Sequence, residues 1–283
     1  MRGIILTGTD DDLGPITQVV CKLLLPVFDK PMVYYPMAGL IQAGIREVMV
    51  IAAREDLPHL RRSLGDGDQI GMRLEYAAQP DPGDVDQALV TAADFIGTEP
   101  VAVVAGDGIF HGDDHVSVAA LISDFAADPT GAQIFTHRVA APDHRSSVAA
   151  GLYLFDGQAA AIARSLIPSQ RHATGLNRVN AHYMRAGQLA ETLLYRGTAW
   201  MSVRTAEDLD QAAGWVRVIE ERQGLKIGCV EESAWRAGLI DAAQLRELAE
   251  PLRKSGYGDY LLGLLDNGPG QLRPLASSRE STR

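Results

Sequence analysis

The chain has 283 residues, of which 46% are hydrophobic and 22% charged, so it is long enough to bury one large α/β core or two modest ones. Its formal net charge of -10 argues against binding along nucleic acid, because affinity for a phosphate backbone comes from clustered Lys and Arg. A small-molecule substrate is therefore favoured, and no nucleic acid is expected among the partners.

Cysteine spacing and hydropathy exclude further classes of protein. The two cysteines, Cys21 and Cys229, lie far apart and show neither a disulfide framework nor zinc-ligand spacing. The N-terminal apolar run is too short for a signal peptide, and no run approaches the roughly 20 apolar residues that span a bilayer. We therefore expect a cytoplasmic protein with no membrane partner.

Apolar runs alternate with stretches of helical periodicity. A strand at 3–6 is followed by a helix at 31–43, with Gly44 placed as its C-cap, and by a second buried strand at 48–52. Further strands are predicted at 73–77, 101–105, 151–155 and 193–195, and further helices at 57–64, 86–95, 159–165 and 179–186. The alternation predicts an α/β fold with a doubly wound, mostly parallel, Rossmann-like sheet.

Helices dominate after residue 205, where they are predicted at 206–223, 231–237, 242–252 and 257–265. We predict an α/β domain at 1–205, a helical unit at 206–266 that packs on the sheet or on another subunit, and a disordered tail at 267–283. Open α/β sheets bind ligands outside the carboxyl ends of their strands. The segments after Leu6, Ala52, Ala77 and Ala105 are therefore expected to surround one crevice.

Several strings, in the same order, resemble one enzyme family. They include KLLLPVFDKPM at 22–32, YAAQP at 76–80, GDGIF at 106–110 and EERQGLK at 220–226. From position 2 to about position 265 the chain is similar to the glucose-1-phosphate thymidylyltransferases. The resemblance implies a nucleotidyltransferase sheet and a homo-oligomer, a dimer or tetramer, assembled through the helical unit.

The resemblance also implies a site plan. In that family a Gly-rich loop wraps the nucleoside triphosphate, an Arg and a Lys offset its charge, and two Asp residues hold magnesium while the sugar phosphate attacks the α-phosphorus. The family's Lys matches Lys22 and its first magnesium Asp matches Asp107, which follows an apolar strand. Without the resemblance, Lys22 would be interpreted as a surface residue, and Asp107 as a turn residue after a strand.

The phosphate loop departs from the family. Where the family has Gly-Gly-x-Gly-x-Arg-Leu, this chain has Gly8-Thr9-Asp10-Asp11-Asp12-Leu13, with no Arg and three carboxylates. At an effective dielectric of about 20, a like-charge contact at about 4 Å opposes binding by roughly 4 kcal/mol before screening. The acidic triplet is predicted to disfavour a triphosphate, and is either a solvated turn or a site for a metal or a cationic substrate.

Other parts of the site plan are also changed. The family's Trp-Leu-Asp-Thr-Gly-Thr string reads WMSVRT at 200–205, which puts Ser202 at the second magnesium Asp and adds Arg204. In the base-recognition loop Gln79 remains, but Asp84 replaces a glycine. The sugar-binding hairpin lacks roughly two dozen residues before Gly151, and its Glu-Lys pair has no counterpart.

These joint departures predict that the protein is not an ordinary thymidylyltransferase but a repurposed enzyme that performs acid/base chemistry on a small biosynthetic intermediate, with no cofactor and no metal. The catalytic candidates are Asp10, Asp11, Asp12, Lys22, Asp107 and His111, with His137 or His144 as further proton carriers. The substrate-binding candidates are Gly8, Gln79, Asp84, Gly151, Ser202 and Arg204. Each lone His has as its alternative a surface position or a buried one with its hydrogen bonds satisfied.

The alternatives for the whole protein are a non-catalytic partner of a pathway enzyme and a residual glucose-1-phosphate thymidylyltransferase.

Overall fold

The computed structural model describes residues 1–8, 13–80, 83–112, 117–138, 147–166, 177–194 and 197–267. The strands are β1 Arg2–Leu6, β2 Pro26–Val27, β3 Lys30–Pro31, β4 Glu47–Ala52, β5 Arg73–Ala78, β6 Val101–Ala105, β7 Gly108–His111, β8 Ala132–Arg138, β9 Ser147–Phe155, β10 Leu189–Leu193 and β11 Ala199–Ser202. The helices are α1 Tyr34–Gln42, α2 Leu57–Leu64, α3 Val85–Thr91, α4 Ala93–Ile96, α5 Val118–Ala127, α6 Ala159–Leu166, α7 Arg178–Arg185, α8 Ala206–Gln223, α9 Val230–Arg236, α10 Ala242–Ala249 and α11 Tyr257–Asn267. Short 3₁₀ turns lie at Gly14–Gln18, Lys22–Leu24, Asp68–Ile70 and Glu250–Ser255.

Within these residues seven strands form the central sheet, in the order β10-β8-β9-β6-β1-β4-β5. β9 runs antiparallel to both of its neighbours, and the other paired strands are parallel. The predicted doubly wound, mostly parallel α/β sheet is confirmed.

Both faces of the sheet are buried. In β1, Ile5 packs in the apolar cluster that contains α1 and α5, whereas Ile4 and Leu6 pack in the cluster that contains α3 and α6. Because alternate side chains of a strand point to opposite faces, a strand covered on both sides needs a continuous apolar run. This requirement explains why the first strand could be recognised from its sequence.

The C-terminal helices pack directly on the α/β part. Ala212 and Val216 of α8 share an apolar cluster with Val27 of β2, and Ala234 of α9 shares the main core cluster with Met37 of α1. Contact with the β2–β3 hairpin and with α1 is thus observed, while the domain boundaries at 205 and 266 and the oligomer stay predictions. In the described part of the chain, no helix combines the length and apolarity needed to cross a membrane.

Several elements differ from the sequence prediction. The strand predicted at 193–195 lies at Leu189–Leu193, and the helix predicted at 86–95 is divided into α3 and α4. The helix predicted at 242–252 ends at Ala249 and continues as a 3₁₀ turn, because Pro251 has no N–H to donate to an α-helical bond. The sequence analysis missed β2, β3, β7, β8, β11 and α5, and most of the predicted tail, 268–283, lies outside the described residues.

Candidate active site

A buried ion pair lies at the carboxyl end of the central strands. Lys22 Nζ donates to Asp107 Oδ2 at 2.8 Å, and the two side chains are 1% and 9% exposed. Asp107 follows β6, and Lys22 begins a 3₁₀ turn. Gly106 permits this approach, since a Cβ there would lie 2.4 Å from Leu23 Cδ2. The structure therefore brings together the two residues that the sequence predicted for the crevice.

The chain passes close over this ion pair as it leaves β1. A Cβ built on Gly8 would lie 3.0 Å from Asp107 Oδ2 and 3.3 Å from Lys22 Nζ. Any side chain at position 8 would crowd the pair. Gly8 thus lets the backbone pass close to the pair without displacing either side chain.

Two neighbouring cavities meet beside Asp107, one of about 470 Å³ and one of about 250 Å³. Residues that line both are Ala105, Asp107, Gly151 and Arg204. The smaller cavity continues along Gly8, Gly83, Val85 and Tyr153. The larger continues along His137, Arg138, Trp200, Ser202 and Asp208. The segments after β1, β5 and β6 therefore border a common crevice, as predicted, whereas residues after β4 are not among those that line either cavity.

Gly151 shapes the shared part of the crevice. Its φ is 69°, and a Cβ there would lie 2.6 Å from Ala105 Cβ. The register between β8 and β9 shifts between Ile134 and Thr136, so β9 is irregular at this level of the sheet. Only glycine combines that backbone angle with that close contact.

Ser202 and Arg204 flank Val203, which lies opposite Asp107 because β11 pairs with β7. Ser202 is aligned with Gly108, and the N–H of Val203 donates to the carbonyl oxygen of Asp107 at 3.1 Å. The N–H of Arg204 donates to Asp208 Oδ2 at 3.0 Å at the start of α8. Ser202 and Arg204, at which this chain departs from the family's string, thus both line the crevice.

The remaining base-loop candidates have structural partners. Gln79 Nε2 donates to the carbonyl oxygen of Asp84 at 2.8 Å, and Asp84 Oδ1 accepts the N–H of Gln87 at 3.1 Å as the N-cap of α3. Neither Gln79 nor Asp84 is among the residues that line the two cavities. Their predicted substrate contacts stay predictions, whereas their contribution to the loop and to the helix start is observed.

The two histidine candidates that the structure describes, His111 and His137, line different cavities. His137 lines the larger cavity, with its ring centroid 5.6 Å from that of Trp200. His111 instead lines a different cavity, of about 260 Å³, and its ring lies 5.5 Å from that of Trp215. The structure does not place His111 beside Lys22 and Asp107. Asp10, Asp11, Asp12 and His144 lie outside the described residues.

The sequence analysis did not single out four residues of the two cavities, Arg138, Tyr153, Trp200 and Asp208. Tyr153 could have been found, because it lies two residues after Gly151 in β9 and a strand repeats every two residues. Asp208 carried a signal too, since Thr205 with an acid three residues later is the pattern of a capping box.

Comparison with known proteins identifies the family. A model of the family described as nucleotidyl transferase matches residues 2–144. A glucose-1-phosphate thymidylyltransferase from Actinoplanes sp. is 43% identical, over 95% of this chain and 95% of the relative. One from Mycolicibacterium smegmatis is 45% identical, over 94% of this chain and 99% of the relative. A solved Bacillus anthracis structure, described as a candidate glucose-1-phosphate thymidylyltransferase in complex with a sucrose, aligns with a TM-score of 0.68 and 28% identity, covering 77% of this chain and 95% of that one.

These relatives overturn the predicted repurposing of the crevice. Identities of 43% and 45% over almost the whole chain, with proteins that are named thymidylyltransferases, favour nucleotidyl transfer over unrelated acid/base chemistry. The prediction gave every changed motif residue the weight of a lost function. It gave too little weight to the retained Lys22 and Asp107, which the fold brings into one ion pair at the crevice. The chain belongs to the nucleotidyl transferase family, among the glucose-1-phosphate thymidylyltransferases.

Proposed function

We propose that the protein transfers a thymidylyl group from dTTP to glucose 1-phosphate, forming dTDP-glucose and pyrophosphate. A phosphate oxygen of the sugar phosphate bonds to the α-phosphorus, and the bond between that phosphorus and the bridging oxygen to the β-phosphorus breaks. The observation that carries this proposal is the near-full-length similarity to proteins that bear this name. The position of Asp107, the carboxylate of the ion pair, at the junction of two cavities supports it.

The two cavities suit two substrates that react with each other. We assign the nucleotide to the smaller cavity, where Gly8 and Gly83 leave backbone accessible to phosphate groups, and the sugar phosphate to the larger one. Both substrates then present their phosphates beside Asp107, which borders both cavities. Holding two reactants in such an arrangement supplies much of the rate of a bimolecular reaction.

Lys22 has the chemistry to neutralise phosphate charge. Its ammonium group is buried 2.8 Å from the Asp107 carboxylate, in a region of low dielectric where charge interactions are stronger than in water. Lys22 is not among the residues that line the two cavities, so its charge would act on a triphosphate at this junction from beside Asp107. The residue would thereby offset the charge that develops on the pyrophosphate leaving group.

The donor set also fits a magnesium ion that the substrate phosphates hold in part. Within the described residues, no three His, Cys, Asp or Glu side chains come together as a metal cluster. Magnesium is commonly bound by one or two carboxylates together with substrate phosphates, so Asp107 would be its protein ligand. When bound, the ion would polarise the phosphoryl oxygens.

The proposal is tested with the purified full chain, dTTP, glucose 1-phosphate and magnesium, by measuring pyrophosphate release. We expect release that depends on both substrates and on enzyme concentration. Absence of pyrophosphate release, together with no heat of dTTP binding in calorimetry, would contradict the proposal.

A further inference from the structure

Arg204 is placed where the two substrate cavities join. It lines both cavities, as do Ala105, Asp107 and Gly151, and of these four residues it alone carries a cationic side chain. Phosphate groups of two substrates that react with each other must meet at such a junction. A guanidinium group at this position can donate two parallel hydrogen bonds to a phosphate.

The backbone of Arg204 is held by the helix that follows it. The carboxylate of Asp208 accepts the N–H of Arg204 and the N–H of Thr205, each at 3.0 Å, while Thr205 Oγ1 accepts the N–H of Asp208 at 3.0 Å. This capping box joins position 204 to α8, which extends for 18 residues. The backbone that carries the guanidinium group is therefore fixed at the start of α8.

The charges around the junction leave a role for a further cation. Lys22 pairs with the Asp107 carboxylate, so these two charges offset one another before a substrate binds. The position aligned with Gly108 is Ser202, which brings no charge, and Arg204 adds a positive one two residues later. In the thymidylyltransferase family the corresponding residues are Asp-Thr-Gly, whereas this chain has Ser202, Val203 and Arg204. Ser in place of Asp and Arg in place of Gly make this strand end more positive by two charges.

We propose that Arg204, two residues after the position of the absent metal-binding carboxylate, is a catalytic residue that contacts the reacting phosphate group and stabilises its charge during transfer. This inference rests on the proposed nucleotidyl transfer. It explains how this chain compensates for the carboxylate that Ser202 lacks. It also assigns the phosphate, rather than the sugar ring, as the partner of Arg204. No proton or electron is transferred to or from the guanidinium group in this role.

The inference is tested with Arg204→Gln and Arg204→Lys. Arg217→Gln on the solvent side of α8 is a matched control, because Arg217 is 60% exposed and lies outside both cavities. We expect Arg204→Gln to lower kcat by about 10²–10³-fold with little change in melting temperature, since removing one preoriented donor has an effect of this size. Arg204→Lys should recover part of the rate, and Arg217→Gln should match the wild type.

A binding measurement separates this inference from the proposed function. Calorimetry with dTMP, which carries the phosphate that is transferred, should show binding to the wild type and to Arg217→Gln, and at least tenfold weaker binding to Arg204→Gln. If the wild type turns over and Arg204→Gln keeps its kcat within twofold, the role of Arg204 is wrong although the proposed function stands. If the wild type does not turn over, equal dTMP affinity of wild type and Arg204→Gln, or no dTMP binding by the wild type, overturns the inference, and loss of affinity in the variant supports a phosphate contact.

Discussion

Two buried lysine–carboxylate pairs have nearly the same length but different surroundings. Lys22 lies 2.8 Å from Asp107, and Lys30 lies 2.7 Å from Glu220, with each lysine side chain 1% exposed. Asp107 borders two cavities. The second pair lies between the β2–β3 hairpin and α8, within a network of further charges. Burial and distance alone therefore do not distinguish a ligand-binding pair from a structural one.

The network around Lys30 satisfies its charges from several sides. Lys30 and Lys226 both pair with Asp29 and with Glu220, and the N–H of Ile227 donates to Glu220 Oε1 at 2.8 Å. Burial acts to raise the pKa of Asp29, but the charges of Lys30 and Lys226 outweigh it and lower that pKa below its usual value. This cluster joins the hairpin to the C-terminal helices, and we interpret it as structural.

The largest expected effect is on stability, and it concerns the second pair. Lys30→Met removes the cation between two carboxylates, so we expect the free energy of unfolding to fall by about 3–5 kcal/mol. The double variant Lys30→Met with Glu220→Leu replaces the pair by apolar groups and should recover much of this loss. Chemical denaturation of both variants measures the difference. Equal destabilisation of single and double variants would contradict the structural interpretation.

The opposite pattern is expected at the first pair. Lys22→Met should lower kcat/KM by about 10²–10³-fold, because a preoriented charge at the reacting phosphates is lost. Its effect on stability should be smaller than that of Lys30→Met, since water in the adjacent cavities can solvate Asp107. Steady-state kinetics and denaturation of both variants test this contrast. A Lys22→Met variant with normal kinetics would show that the two pairs do not differ in function.

A smaller change that crowds the first pair should also lower activity. The Cβ of a Gly8→Ala variant would lie 3.0 Å from Asp107 Oδ2, so we expect kcat/KM to fall about tenfold, or about 1.4 kcal/mol. Gly214→Ala is the matched control, because position 214 lies within α8 and has no heavy atom within 4 Å of the added Cβ. That variant should keep its activity and gain about 0.5–1 kcal/mol of stability. Equal kinetics in the two variants would count against the role of Gly8.

The acidic triplet that follows Gly8 in sequence provides a further test on the nucleotide side. Replacing Asp10, Asp11 and Asp12 by Asn removes like charge from the loop, so we expect the KM for dTTP to fall by about tenfold after screening. The KM for glucose 1-phosphate should change less. A rise in the KM for dTTP would instead indicate that the carboxylates assist nucleotide binding. Measurements at two salt concentrations would show whether the effect is electrostatic.

The smallest expected effect is on stability and concerns Asp208, which lines the larger cavity. Partial burial acts to raise the pKa of Asp208, but hydrogen bonds from the N–H groups of Arg204 and Thr205 outweigh it and lower that pKa. Asp208→Asn should therefore cost about 1 kcal/mol of stability at neutral pH. Because the folded-state pKa is depressed, the contribution is full above the unfolded pKa of about 4 and disappears as pH falls through the folded value. The difference between variant and wild type, measured by denaturation, should therefore decrease as the pH is lowered from 7 to 2; a difference that does not change over this range would contradict this assignment.

The comparison of the two ion pairs also shows what sequence reasoning could reach. Lys22 and Asp107 were identified because each lies in a string that resembles the family. By contrast, His111 was assigned to the same site as a proton carrier, but four residues of mostly extended chain carry it roughly 13 Å from Asp107. β8 was missed because its strand character depends on pairing with β9 and β10, which a local pattern does not reveal. The sequence contained the residues of the Lys30 network, but only the packing of α8 on the hairpin shows that they meet.

The most direct test of the account is identification of the product by mass spectrometry, with wild type, Lys22→Met and Lys30→Met incubated side by side with dTTP, glucose 1-phosphate and magnesium. We predict dTDP-glucose from the wild type and from the folded fraction of Lys30→Met, and a yield reduced by at least about 10²-fold from Lys22→Met. Wild-type enzyme that binds dTTP but forms no nucleotide sugar, or Lys22→Met enzyme that forms it at the wild-type rate, would contradict the assignment of nucleotidyl transfer to the Lys22–Asp107 crevice.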